Sequence, residues 1–307
     1  MKRVCAGVVL GIGALAAGAA WGESITATGL FPAQYRDAAM LRSIAVDRFA
    51  GRDGMALSLA IERALSQPDV DGHSHFAMVG PGAPADGVLS GAVSTGVEQG
   101  EVQRSRKQCV QRDDKNKCMK EEQQQVRCTQ RIVNVSVDLR LSRTGDGRIL
   151  YSTTKPVRDQ IEWCPGESPS RTVEETVSNA IRTVAGQVRM EIAPHVENYK
   201  VRFRESTKGL DKTIASQFKA VVKQSQRDLQ GACGGWATLD QQSPNHPSIT
   251  FDLGVCAEAR GDLQGALGWY RQAAPLIGGD SEASEGIDRI QRRMAADQDA
   301  AARRRQG

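Results

Sequence analysis

The pentapeptide Asp-Leu-Gln-Gly-Ala stands at residues 228–232 and again at residues 262–266, 34 positions apart. Superposing the copies extends the match. Ala232 falls on Ala266, Trp236 on Tyr270 and Leu239 on Ala273. Each copy therefore sets a small residue one helical turn before a large aromatic on the same face. Upstream of the second copy, "ITFDLGVCAEARGD" supplies a Leu253-Gly254 pair and a turn glycine, Gly261. Small residues matter mechanically, because helices approach closely only where bulky side chains do not collide. The spacing predicts two consecutive helical hairpins, the first closed by Pro244.

The period, the Leu-Gly pair and the Ala-x-x-x-aromatic pattern resemble the tetratricopeptide repeat. The resemblance is more complete over 247–279 than over 213–246, where Ala220 is the small residue but Lys219 replaces the usual leucine. Ser216 and Thr250 stand where the family carries tryptophan. The resemblance implies a concave face that binds a protein or peptide, here lined by Gln217, Val221, Gln224, Phe251, Val255 and Glu258. The alternative is that this face packs against the preceding sheet domain. Two units bury their apolar faces only against neighbours, and Ile287, Ile290 and Met294 are spaced to form a capping helix. The Arg-rich end beyond it reads as a solvated, frayed helix.

Residues 30–205 mix strand and helix signals. "SIAVDRFAG" predicts a strand with Ile44 and Val46 inward. "MALSLAIERAL" repeats Leu57, Ile61, Ala64 and Leu65 on one helical face, and "HFAMVG" and "GVLSGAV" predict further strands. "IVNVSVDLRL" alternates, with Val133, Val135, Val137, Leu139 and Leu141 on one side, as in a strand covered on one face only. A long helix carries Val173, Val177, Ile181, Val184 and Val188, with Thr172 and Glu175 as its capping box. "YKVRFRE" closes the domain as a strand.

A three-residue loop, Gly145-Asp146-Gly147, keeps the apolar residues of both hairpin strands on one face. Leu141 then faces Tyr151, and the same register carried outward sets Cys128 opposite Cys164 unless a bulge near Pro156 interrupts it. A turn at Asp113-Asp114 would face Cys109 with Cys118, unless "KCMKEEQQQV" forms a short helix. Cys233 and Cys256 fall on successive predicted helices of adjacent units, where a disulfide could pin the two together, though spacing alone does not set their Cα separation.

This order of elements resembles the curli secretion channel family (CsgG-like), and the N-terminal domain of TolB and the LpoB activators, over roughly residues 40–205. The resemblance implies an envelope protein that can oligomerise. Channel members insert amphipathic hairpins into the outer membrane. The corresponding segment here, 101–130, is charged on both faces and has no apolar band for lipid.

The first 22 residues have a basic start, an apolar centre and small residues at 20 and 22, the pattern of a cleaved secretory leader. Without it, the formal net charge falls from +4 to +2, which gives no electrostatic case for nucleic acid. Six cysteines follow the leader, and an even number in an exported chain suggests disulfides. The expected class is α+β: a leader (1–22), a mixed-sheet domain with helices (23–205), two helical repeats (206–280), and a capping helix with a basic tail (281–307). No transmembrane helix is expected after the leader.

Catalytic signatures are missing from the sequence. "HSH" at 73–75 offers two imidazoles without further local ligands, so it reads as a surface strand start rather than a metal site. "GPGAPADG" has no Gly-Lys-Ser/Thr after it, and no nucleophile-elbow motif occurs. The sequence therefore predicts a non-enzymatic, periplasmic protein, possible outer-membrane association included, without cofactor or metal. It would serve as an adaptor for an envelope protein or peptide or, alternatively, as a structural subunit of a secretion or outer-membrane assembly.

Overall fold

A computed structural model describes residues 23–69, 72–80, 82–278 and 281–305. The leader expected at 1–22 lies outside these residues. The chain divides into two compact units: Thr28–Asn198 with Gln291–Gly307, and Met1–Ala27 with Tyr199–Ile290.

The first unit is built on a five-stranded sheet of order β3-β2-β4-β5-β6. Its strands are β2 (Ser43–Val46), β3 (Ala77–Val79), β4 (Gly87–Arg112), β5 (Cys118–Arg143) and β6 (Ile149–Trp163). β2 runs parallel to β3 and β4, while β4, β5 and β6 are antiparallel. Helices α2 (Gly54–Leu65) and α3 (Val173–Ile192) cover one face. Between them and the sheet lie Ile44, Leu57, Ile61, Leu89, Val137, Leu141, Val184 and Val188, all essentially inaccessible. On β5 the opposite face carries Asn134, Ser136, Asp138 and Arg140, none of them buried, so the alternation in the sequence separates core from water. Thr172 and Glu175 form the capping box that starts α3. A short helix α1 (Arg36–Ala39) precedes β2.

The β5–β6 hairpin has the expected register over most of its length: Leu141 faces Tyr151, and the pairing runs unbroken to Thr129 and Trp163. Next to the turn the strands slip by one residue, between Leu141 and Ser142. Gly147 there has a φ of 70°, a left-handed conformation that glycine adopts without Cβ strain. Cys128 and Cys164 follow the last ladder pair and form a disulfide, with Cα atoms 4.1 Å apart.

Beyond that bridge, β4 and β5 continue as a two-stranded ribbon. "KCMKEEQQQV" is therefore strand, not helix. Its tip corrects the expected register: Cys109 is the ladder partner of Glu121, and Cys118 that of Arg112. Two bulges, at Val110 and Met119, shift the strands, and the Cys109–Cys118 disulfide closes across them with Cα atoms 5.7 Å apart. The turn is longer than Asp113-Asp114, and Asn116 within it takes a φ of 62°.

β1 (Ser24–Phe31) and β7 (His195–Arg202) form a separate two-stranded sheet. The closing strand predicted from "YKVRFRE" thus pairs with a strand that sequence reading missed, not with the main sheet.

The second unit contains α4 (Lys212–Gln224), α5 (Leu229–Gln242), α6 (Pro247–Ala259) and α7 (Leu263–Ile277). These are the two hairpins read from the 34-residue period. The repeated pentapeptide does the same work twice. Asp228 and Asp262 are N-caps whose carboxylates accept from the amides of Gly231 (2.8 Å) and Gly265 (2.9 Å). A Cβ on either glycine would lie 2.0 or 2.1 Å from the capping carboxylate oxygen, so Gly at that position fits the cap. Ala232, Trp236, Ala266, Tyr270 and Ala273 are wholly buried, and Leu239 nearly so. A Cβ on Gly254 would lie 2.7 Å from the Tyr270 ring, so the α6–α7 contact requires its absence. The Cys233–Cys256 disulfide joins α5 to α6. Helix α8 (Glu282–Arg305) begins in this unit, and its residues from 291 onward count with the sheet unit. Among the described residues, no helix is long and apolar enough to cross a membrane.

Candidate functional site

The six residues expected to line a concave binding face divide sharply. Gln217 and Gln224 are exposed, and Val221 is half-buried beneath Gly235. Gln224 donates to the Asp228 carboxylate at 3.0 Å, helping to cap α5. Phe251, Val255 and Glu258 are buried, at 1%, 0% and 2% exposure. A partner therefore cannot reach half of the predicted set. Helix α6 is enclosed from Ser248 to Glu258, and contacts from its own unit contribute to the cover. Ser248 donates to the Ser206 carbonyl, Asp252 accepts from the Arg204 amide at 2.9 Å, and Phe203 stacks on Trp236 at 4.6 Å.

Glu258 is the hub of this packing. It accepts from the Tyr199 hydroxyl at 2.7 Å, the Tyr270 hydroxyl at 2.6 Å, and both ends of the Arg289 guanidinium at 2.7 Å. The same guanidinium lies 5.2 Å from the Tyr199 ring centre. Burial pushes the Glu258 carboxyl up, but the hydrogen bonds and charge of Arg289 outweigh it and hold the group below its ordinary range. Asp252 behaves oppositely. It is fully buried, and burial lifts its pKa well above the carboxylate range despite the Arg204 amide and charge, which pull it down. The contacts of Glu258 tie α6 to β7, α7 and α8 within the unit. The glycine and aromatic pattern located the helices, but Glu258's partners lie 12, 31 and 59 residues away, beyond any local spacing.

The sheet unit has a cleft of about 830 Å³. Leu30, Met40 and Val196 form apolar walls, while Arg42, His73 and Arg304 stand among its polar lining. At one end lies a cluster that joins two features of the sequence, the "HSH" stretch and the Arg-rich end. His75 Nε2 meets the Ala39 carbonyl at 2.8 Å and contacts the Arg303 guanidinium, which also donates to the His75 carbonyl at 2.5 Å. Arg303 lies over the Phe76 ring at 5.7 Å. Asp69 accepts from Arg189 at 2.6 Å and sits 4.0 Å from His75 Nδ1. Burial and the Arg303 charge push the His75 pKa down to about 4, so at neutral pH the ring is uncharged. Neither expectation for these segments holds. "HSH" is not simply a surface strand start, and the Arg-rich end is ordered helix through Arg305 with Arg303 docked. The missed signal was pairing across 228 residues.

Among the described residues, one trio of possible metal ligands converges, Cys128, Glu162 and Cys164. The two cysteines form a disulfide and so provide no thiolate, the form that binds metal.

No protein-family model matches the chain, and no curated protein does. Solved structures align with it only distantly. A PelC dodecamer subunit of Paraburkholderia phytofirmans shares 16% identity, covering 53% of this chain and 95% of its own, with a TM-score of 0.26. A chain from Caulobacter crescentus shares 16% identity over 52% of this chain and 92% of its own, with a TM-score of 0.27. A PDZ domain protein from Parabacteroides distasonis shares 8% identity over 78% of this chain and 66% of its own, with a TM-score of 0.23. At these scores none defines a family.

Proposed function

We propose that this chain is a non-enzymatic adaptor of the bacterial cell envelope that binds a protein or peptide partner. The observation that carries the reading is the cysteine inventory. All six cysteines of the described residues form disulfides, one within the helical hairpins and two along the ribbon. Such bridges form and persist in an oxidising compartment. The polar clusters point the same way: Glu258, Asp69 and Asp159 are each bound to a buried or partly buried arginine. The helical unit resembles paired tetratricopeptide repeats in period and small-residue placement, and repeat proteins of that kind are protein-binding scaffolds. Because α6 is enclosed, the partner surface lies elsewhere on the molecule.

The test is recovery of partners from an envelope extract with full-length bait purified from the periplasm. One or a few envelope proteins should be retained at near-stoichiometric yield through a 0.5 M salt wash. A bait that retains none, or that turns over a substrate, contradicts the adaptor reading.

A further inference from the structure

We infer that the free edge of β4 beside the α2–α3 groove accepts an extended peptide as an added strand, with alternate apolar side chains entering the groove. This rests on the adaptor reading and specifies the partner's chemistry.

The edge is defined by where the chain's own pairing stops. After β2, the segment 47–50 continues along β4: the Asp47 amide donates to the Leu89 carbonyl, the Ala50 amide to Gly91, and the Val93 amide to the Ala50 carbonyl. These β4 groups belong to odd-numbered residues. Backbone groups alternate between the two edges of a strand, so Thr95, Val97 and Gln99 direct theirs to the same side. The chain turns away there, through Gly51 into α2. Among the described residues, β4 has only β2 and β5 as strand neighbours, and β2 pairs with it no farther than Leu89. An unpaired row of amides and carbonyls is a template for another strand.

The surface beside this edge is built for side chains. A cavity of about 520 Å³ lies between α2, α3 and β4. Val177 and Ile181 form its floor, and both are nearly inaccessible. Leu59 and Val97 line it while 50% and 49% exposed, an unfavourable position for large apolar residues that contact with a partner would relieve. Arg52, Arg63 and Arg182 stand at the rim, against two carboxylates, Asp53 and Glu174. Asp53 is already occupied, accepting from the Thr95 hydroxyl at 2.9 Å. The rim therefore favours a peptide whose apolar residues alternate with carboxylates.

The probe is a fluorescein-labelled octapeptide alternating valine and glutamate, titrated against full-length oxidised protein by fluorescence polarisation. Its controls alternate valine and lysine, or carry N-methyl groups at every second amide. The Val/Glu peptide should bind saturably, and N-methylation or lysine should each weaken it about tenfold or more, the scale of one or two lost hydrogen bonds. Leu59→Asp fills the groove mouth with charge from an exposed site, and Val97→Pro removes a donor facing the free edge while the ladder to β5 uses the other residues. Both variants should lose binding at least tenfold with unchanged far-ultraviolet circular dichroism. Equal binding by either folded variant, or no binding by the parent protein, overturns the proposal. So does concentration-dependent self-association abolished by Leu59→Asp, which would make a second copy the occupant. If Leu59→Asp bait retains the same envelope partners as the parent, this site falls and the adaptor reading stands; if the parent retains none, the adaptor reading itself falls.

Discussion

Helix α6 and the outer part of the β4–β5 ribbon break the same rule in opposite directions. α6 buries Ser248, Thr250, Asp252 and Glu258, whereas the ribbon leaves Val110 and Met119 41% and 64% exposed. A buried carboxylate survives only when its partners replace water, and Glu258 has four donors doing so. A ribbon without a core survives only if something else limits its freedom. Here disulfides stand at its base and its tip. The helical unit therefore depends on the donors gathered around Glu258, while Thr250 Oγ1 and Asp252 Oδ2 lie buried without a hydrogen-bond partner among the described residues. The ribbon depends on covalent closure. Removing a partner should hurt the first most, and removing a bridge should hurt the second according to where the bridge sits.

The largest effect should come from Arg289→Ala, which strands the Glu258 charge in a buried site. A loss of about 3–5 kcal/mol is expected, read by urea denaturation. The double variant Arg289→Met with Glu258→Leu should recover much of it. If Arg289→Ala costs no more than the double variant, the contrast between buried network and covalent ribbon is wrong. Next, replacing Cys128 and Cys164 together by serine should cost roughly 2–4 kcal/mol, because that bridge closes a 36-residue separation at the edge of the core.

Acid should unlock the sheet unit. His75 has a folded pKa near 4 against an ordinary 6.5, so the fold prefers the neutral ring. Its contribution is complete above pH 6.5 and is lost as pH falls from there toward 4, a change on the order of 2–3 kcal/mol. The charged groups acting on the ring are Arg303 on α8, Arg189 on α3 and Asp69. Denaturation midpoints of the parent should fall between pH 6.5 and 4.5, and His75→Gln should flatten that slope. The smallest effect belongs to the ribbon tip. Serine at Cys109 and Cys118 should change global stability by less than about 1 kcal/mol, because the tip can open without exposing a core. Hydrogen exchange at Val110–Met119 should nevertheless rise several-fold.

Much of the fold was legible because its signals were local. The pentapeptide caps two helices by one mechanism, Gly254 clears room for Tyr270, and the parity of apolar residues set the β5–β6 register as far as Cys128. The failures have a shared cause. Nothing near Glu258 announces Tyr199 or Arg289, and nothing near His75 announces Arg303. A face that looked available on a helical wheel is covered by residues distant in sequence. The ribbon tip failed differently: its turn spans 113–117 instead of centring on Asp113-Asp114, which re-registers the ladder, while the two bulges, one per strand, offset each other. The α2–α3 groove went unseen because nothing in the sequence marks where β2 stops pairing with β4.

The most direct test of the account is disulfide mapping of protein purified from the periplasm without reductant, by peptide mass spectrometry after alkylation. The account predicts Cys109–Cys118, Cys128–Cys164 and Cys233–Cys256 as cross-linked peptides, with no alkylated thiol among the six. Alkylated Cys128, or Cys128 joined to any residue other than Cys164, would contradict the hairpin register and the covalently closed ribbon built on it.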